Sequence, residues 1–404
     1  MSIEHAARGH SELAALGQRA LRALRPTEMV FLAYVAWTLV RMAITGHFRV
    51  RLGFLPGPDL LVVMLAIVTV RLVVEHRAAP LEPRVARWHR LLFVPLGALS
   101  FFGFALGVGL EAPSEYGDPA QSSTWLLFAR ESVARVGLAV LLPTVGWLVI
   151  GRSLLRHGAL ARGLHPLSIA RESLATLGAA ARDWLALVLT IYAYLSTESG
   201  TALFGDADAR LAAIDRALFA GHDPLSLLES IVSAPLSEWM AACYVSYVFL
   251  FPIALGVVYA KTPERFRWFS FAVALTLALG YVGYAFVPAQ GPLFVRHFDV
   301  SLDLYYLKPI KEQLMDRPRV PRDCFPSLHT AASLTLWRGA LRCSRWLGLA
   351  LAPIVLTIPV ACVYLRYHYV TDVLAGIVLF AVVARITDRL AVRSRRASAS
   401  VFGE

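Results

Sequence analysis

CFPSLHT, Cys324 to Thr330, and RYHYVTDVLAG, Arg366 to Gly376, decide how this chain is read. Each stretch leads into a strongly apolar helical run. The first places Ser327 and His329 just after a proline, and the second places His368 four residues before Asp372. Pro326 suits the first turn of a helix, where its missing N–H costs nothing. Ser327 and the N–H groups after it then sit at a helix N-terminus, which carries partial positive charge and free donors for a phosphate. The i, i+4 spacing of His368 and Asp372 predicts that both lie on one face of an opening helical turn.

The rest of the chain is mostly apolar. Of its 404 residues, 57% are hydrophobic and 17% charged, and a soluble protein of this length carries more charge. Apolar runs near the ~20 residues that span a bilayer predict an all-α, polytopic membrane protein. About ten transmembrane helices are expected, at 28–45, 55–75, 90–110, 132–151, 183–204, 238–260, 267–288, 326–343, 346–365 and 370–390. Residues 1–154 then form an N-terminal segment and four spans, 155–182 an arginine-rich connector, and 183–396 a six-helix unit. The first ~27 residues, with Glu4, Glu12 and Arg19, do not read as a cleavable signal. Leu13, Leu16, Leu21 and Leu24, interleaved with Arg19, Arg22 and Arg25, suggest an amphipathic helix on the membrane surface.

A net charge of +11 raises the question of nucleic acid. The arginines cluster between apolar runs rather than along one polar face, and no zinc-finger, homeodomain-like or RNA-binding pattern occurs, so no nucleic-acid partner is expected. Positive-inside topology accounts for the clusters. Arg84 and Arg87, Lys261 and Arg265, Arg338 and Arg342, and Arg393 to Arg396 all fall on one side if the spans alternate. That side, with both termini, is expected to be cytoplasmic, in a multi-pass protein of the cell (inner) membrane. The segment between the seventh and eighth spans breaks the rule. It carries Arg296, Lys308, Lys311, Arg317, Arg319 and Arg322 on the outer side, where an anionic substrate is a reason for positive charge.

The four cysteines, Cys243, Cys324, Cys343 and Cys362, have no metal-ligand spacing and read as buried, inert thiols. No carboxylate cluster suits Mg²⁺, and arginines occupy the role that a metal would play, so neither metal nor cofactor is expected. Two histidines, one backed by a carboxylate, beside many arginines are what phosphoester chemistry through a phosphohistidine requires. His368 is the expected nucleophile, Asp372 its orienting carboxylate and His329 the acid. Ser327, Arg366, Arg322, Arg317 and Lys311 are the expected substrate ligands. Asp215 and Tyr247 are read first as structural residues, with the same cavity as their alternative. His222, Trp239, His297, Tyr305 and Tyr306 read as interfacial belt or loop residues.

FPSLH followed by HYVTD resembles the second and third signatures of the type 2 phosphatidic acid phosphatase (PAP2) superfamily. With VPAQGP, Val287 to Pro292, the set resembles its inositolphosphotransferase-like branch, which includes fungal inositol phosphorylceramide synthase. The resemblance covers roughly 183–390 and implies a six-helix core and metal-independent catalysis. It also implies His368 as nucleophile, Asp372 as its partner, and His329 as acid and then base. The superfamily's first signature has six residues between Lys and Arg-Pro, but here Lys311 and Arg317-Pro318 are separated by five. Cys362 stands where the third signature usually has arginine, and Arg366 is the nearest alternative. Leu328 stands where glycine is common.

The resemblance implies an integral membrane phosphotransferase or phosphatase. A phospholipid, sphingolipid or polyprenyl phosphate is its expected substrate, and an alcohol such as inositol or water its acceptor. A plain lipid-phosphate phosphatase and a noncatalytic lipid transporter are the alternatives. The catalytic groups are expected on the extracytoplasmic face.

Overall fold

The computed structural model describes residues 24–46, 182–191, 202–302, 304–308 and 322–402, and among them there are helices and turns but no strand. Helix α1 is Pro26–Thr45, and a short helix, α2, covers 182–191. Then come α3 (Asp208–Leu218), α4 (Pro224–Glu229), α5 (Ala234–Val245), α6 (Tyr247–Lys261) and α7 (Pro263–Phe286). A single turn, α8 (Pro292–Val295), precedes α9 (Leu328–Cys343), α10 (Arg345–Tyr364) and α11 (Val370–Phe402).

Four helical stretches are long and apolar enough to cross a membrane: Pro26–Thr45, Arg265–Phe286, Arg345–Tyr364 and Val370–Ser394. A fifth is the pair α5 and α6, if the 54° bend between them is taken within one span. The expected spans at 55–75, 90–110 and 132–151, the surface helix near the N-terminus and nearly all of the connector lie outside the described residues. The expected span at 238–260 is two helices rather than one. The expected span at 370–390 is longer, since α11 continues to Phe402.

Helix α9 organises the bundle, packing against α6, α7, α10 and α11. It has 16 residues, fewer than a spanning helix needs. Leu328, Thr330, Ala331, Ala332, Ser333, Leu334, Thr335, Leu336 and Ala340 are buried along it. The run of small residues lets neighbouring backbones come close, as in helix interfaces within lipid. Side-chain hydrogen bonds tie the helices: Thr276 Oγ1 to Thr335 Oγ1 at 3.1 Å, Ser237 Oγ to the Tyr364 hydroxyl at 2.9 Å, and Thr27 Oγ1 to Ser270 Oγ at 3.1 Å. Each such bond contributes about 0.6 kcal/mol in a membrane bundle. Pro353 and Pro359 lie inside α10, and packing within a bundle makes such interior prolines tolerable in apolar helices.

The helices alternate in direction, so the bundle has two distinct ends. One end collects the start of α1 and α7 and the end of α6 and α9. There Arg25 meets Asp183, Arg182 meets Glu28, and Arg265 Nη1 donates to the Arg342 carbonyl at 3.0 Å. The other end collects α3, the turn after α7, the start of α9 and the α10–α11 junction. Both sequence stretches that opened the reading lie at this second end.

Candidate active site

The site is assembled from three segments that hold one another by backbone. Ser327 N donates to the Asp372 carbonyl at 3.0 Å, which ties the start of α9 to the first turn of α11. Cys324 N donates to the Ala289 carbonyl at 3.1 Å, and Leu293 N donates to the Arg366 carbonyl at 2.7 Å. VPAQGP therefore bridges the other two motifs. Gly291 in that turn has φ +99°, and a Cβ there would lie 2.3 Å from the Tyr367 carbonyl oxygen. Only glycine permits both the backbone angle and the contact. A Cβ on Gly376 would lie 2.6 Å from the Ser327 carbonyl oxygen, so glycine also sets how closely α11 approaches α9.

His368 and Asp372 face one another, with Nδ1 of the ring 3.6 Å from Oδ2. Both are buried, at 4% and 0% side-chain exposure. Oδ2 also accepts from Tyr369 N at 2.9 Å and from the Cys324 thiol at 2.8 Å. Oδ1 is buried and has no hydrogen-bond partner among the described residues. On the far side of the ring, His368 Nε2 lies 3.5 Å from His329 Nδ1. One imidazole thus has a carboxylate behind it and a second imidazole in front.

His329 sits in a box of tyrosines. Tyr244 stacks on it with ring centroids 4.4 Å apart, and Tyr247 leans against it at the same distance. Tyr367 stacks on the other face of Tyr244 at 4.6 Å. Tyr247 is therefore a direct neighbour of His329. Its place follows from the bend between α5 and α6.

The remaining expected residues divide by position. Ser327 precedes α9 as its N-cap, its Oγ accepting from Thr330 N at 3.3 Å and Thr330 Oγ1 at 3.2 Å. Pro326 accordingly lies outside the helix, two residues before its first position at Leu328 rather than in the first turn as expected, and follows a cis peptide bond. Arg366 has φ +68° and directs its guanidinium to the Val300 carbonyl at 2.5 Å and to Glu229 at 3.3 Å. The Phe298 ring stacks against it at 4.1 Å. Arg322 lies 3.6 Å from Asp206 and Arg296 pairs with Asp223. Lys311, Arg317 and Arg319 lie outside the described residues.

Three residues take on more than the sequence reading gave them. Asp215 caps α11, accepting from Val370 N and Thr371 N at 2.8 Å each and from the Thr371 hydroxyl at 2.6 Å. Asp208 accepts from Gln290 N at 2.8 Å, Gly291 N at 2.9 Å and the Tyr369 hydroxyl at 3.0 Å. Burial pushes the Asp208 carboxyl above the ordinary aspartate range, and the hydrogen bond between the two carboxyls holds Asp206 below it. Cys324 is the third. It is buried as expected, but it is no inert filler, because its thiol touches Asp372, His368 and the Tyr367 carbonyl. Burial, reinforced by the Asp372 carboxylate, pushes this thiol well above its usual range, so it stays protonated and donates. Its position one residue before Phe325-Pro326 was the only available hint.

Comparison with known proteins gives a match over part of the chain. Residues 209–386 match the sequence model of the PAP2 superfamily. The match contains both histidines, Asp372, Asp215 and the Gly291 turn. No curated protein and no solved structure matches the chain.

Proposed function

We propose that the chain is a membrane-embedded phosphotransferase of the PAP2 type that cleaves a lipid phosphoester through a phosphohistidine at His368. The observation that carries this reading is the line of groups Asp372 Oδ2, His368 Nδ1, His368 Nε2 and His329 Nδ1, separated in turn by 3.6 Å and 3.5 Å across the ring. Asp372 holds the proton on Nδ1, which leaves the Nε2 lone pair free to attack phosphorus. A P–N bond forms as the P–O bond to the leaving group breaks, and His329 protonates the departing oxygen. In the second half His329 removes the proton from an acceptor O–H. That oxygen attacks phosphorus and Nε2 departs. The phosphoryl group enters between the two rings, so His329 turns aside to meet the leaving oxygen.

Arg366 and Arg322 are the described cations nearest these motifs in sequence, and they are proposed to stabilise phosphoryl charge together with Arg317 and Lys311. Both arginines already face a carboxylate, Glu229 and Asp206 respectively. Substrate phosphate therefore competes with an existing ion pair. Transfer to an alcohol such as inositol, rather than hydrolysis, is supported by the likeness of VPAQGP, FPSLHT and RYHYVTDVLAG to the inositolphosphotransferase-like branch. The site is proposed to open on the extracytoplasmic side of the cell membrane, which arginine bias at the opposite end of the bundle supports. Tyr305 and Tyr306, 72% and 87% exposed, belong at that interface.

The test is a panel of lipid phosphates and phospholipids given to the purified full chain, with and without candidate alcohols. Lipid product formed only with alcohol supports transfer, and phosphate release without it supports a plain phosphatase. An acid-labile phosphoprotein, absent from His368→Ala, is expected on quenching during turnover. A transporter forms no such intermediate. For sidedness, an impermeant thiol reagent is expected to label Tyr306→Cys in intact cells and not Arg342→Cys. The reverse pattern refutes the placement.

A further inference from the structure

We propose that Cys324, His368 and Asp372 form a binding site for a thiophilic divalent cation of the Zn²⁺ class, and that the bound ion stops catalysis. The three donors come from the segment before α9 and from the α10–α11 junction, and all three residues are buried. Their atoms form a triangle: His368 Nδ1 to Asp372 Oδ2 at 3.6 Å, Cys324 Sγ to His368 Nδ1 at 3.5 Å, and Cys324 Sγ to Asp372 Oδ2 at 2.8 Å. A tetrahedral Zn²⁺ with bonds of about 2.0 Å to nitrogen and oxygen and about 2.3 Å to sulfur needs edges of roughly 3.3 Å for N···O and roughly 3.5 Å for those with sulfur. The two edges that meet at the imidazole are already near those lengths. The third edge is the thiol–carboxylate hydrogen bond, and it lengthens when the ion replaces the thiol proton between the two atoms.

A second observation points the same way. Asp372 Oδ1 is buried with no hydrogen-bond partner among the described residues, so the carboxylate has an unused lone pair for a cation. The donor set of one thiolate, one imidazole and one carboxylate suits a borderline-soft ion better than Mg²⁺ or Ca²⁺. Binding releases the Cys324 proton, because a coordinating thiol is deprotonated.

The inhibitory half of the proposal rests on the reading of His368 as nucleophile, and the binding half does not. A neutral imidazole has one lone pair. Once Nδ1 gives it to a metal, the ring proton sits on Nε2, and Nε2 has nothing left to attack phosphorus. The ion also takes the Asp372 oxygen that orients the ring. Catalysis without metal and inhibition by metal thus follow from the same atoms.

The test uses the full chain purified in detergent. Titration of wild type with Co²⁺ is expected to give a thiolate-to-cobalt charge-transfer band that saturates at one ion per chain. The band is expected to vanish in Cys324→Ser and in Cys324→Ala, although Cys243, Cys343 and Cys362 remain. If neither cysteine variant folds, His368→Ala serves, since it keeps the thiol and removes the imidazole nitrogen. Zn²⁺ should inhibit wild type, EDTA should restore the rate, and the half-inhibiting concentration should rise at least about tenfold in Cys324→Ser. No band in wild type, a band unchanged in these variants, or equal Zn²⁺ sensitivity of wild type and Cys324→Ser overturns the proposal. A protein that binds Co²⁺ through Cys324 but turns over no lipid phosphate keeps the ion site and removes the catalytic reading.

Discussion

At the end of the bundle where α9 finishes, Arg338 and Arg342 converge on Asp388, with Arg342 and Asp388 56% and 44% exposed. At the end where α9 begins, Asp208, Asp215 and Asp372 are buried, and each accepts hydrogen bonds from backbone N–H groups. Both ends contain arginines and carboxylates. At the first end charge meets charge in contact with solvent, where pairing is screened and contributes little. At the second end buried carboxylates grip peptide groups, where each bond matters more. The contrast teaches that the positions of the carboxylates, more than the number of charges, mark the end built for precision. Asp215 holds the first turn of α11, Asp208 holds the Gly291 turn, and Asp372 holds the histidine between them.

The largest effect should come from the centre of the precise end. His368→Ala is expected to lower turnover by at least about 10⁴-fold while the protein stays folded. Asp372→Asn should leave a small residual rate, because it misorients the ring rather than removing it. Steady-state kinetics beside a thermal melt of each variant checks both, and a near wild-type rate for His368→Ala would sink the mechanism.

Next comes the cap. Asp215→Ala removes the acceptor of two buried N–H groups and one hydroxyl, and should destabilise the protein by about 3 kcal/mol. Activity should fall with it, since Val370 and Thr371 immediately follow the His368 segment. A melting temperature equal to wild type would show that this carboxylate is dispensable and would break the contrast between the two ends.

The arginines of the precise end should follow. Arg322→Ala is expected to lower kcat about ten- to a hundredfold, the range of a charge-assisted contact worth about 1.5–3 kcal/mol in the transition state. Arg296→Ala should at most raise KM, with an effect that fades in high salt. If both parameters are unchanged in both variants, Arg366 must serve the phosphate without this segment.

The smallest effect belongs to the opposite end. Arg342→Ala removes an exposed partner of Asp388 and should shift stability by less than about 1 kcal/mol with no change in rate. A large loss of activity would mean that the two ends are coupled through α9 and would sharpen the comparison into a mechanical one.

Much of this arrangement was legible in advance. The apolar runs at 267–288 and 346–365 became helices near their expected limits, because hydropathy and helical period are properties of a short window. His368 and Asp372 do meet, but not on one helical face as the i, i+4 spacing predicts: α11 begins at Val370, so Asp372 lies in its first turn and His368 in the bend before it. The helix starts two residues after Pro326 because Ser327 is the better N-cap, and the cap defines where the helix starts. Hydropathy alone reads 238–260 as one continuous apolar run and misses the bend that brings Tyr247 to His329, although Pro252 lies just after it.

Residue types and their spacing determined that this protein is helical, apolar enough to cross a membrane, and equipped with two histidine motifs. Those are statements about neighbours along the chain, and local geometry settles them. Only the tertiary structure decided what each buried polar group holds. Asp215 lies 156 residues from Thr371, Asp208 lies 83 from Gly291, and Cys324 lies 48 from Asp372. No period or motif spans such gaps. A buried carboxylate must find hydrogen-bond donors wherever packing places them, and that search is completed only when α3, the Gly291 turn and the start of α9 close around the first turn of α11.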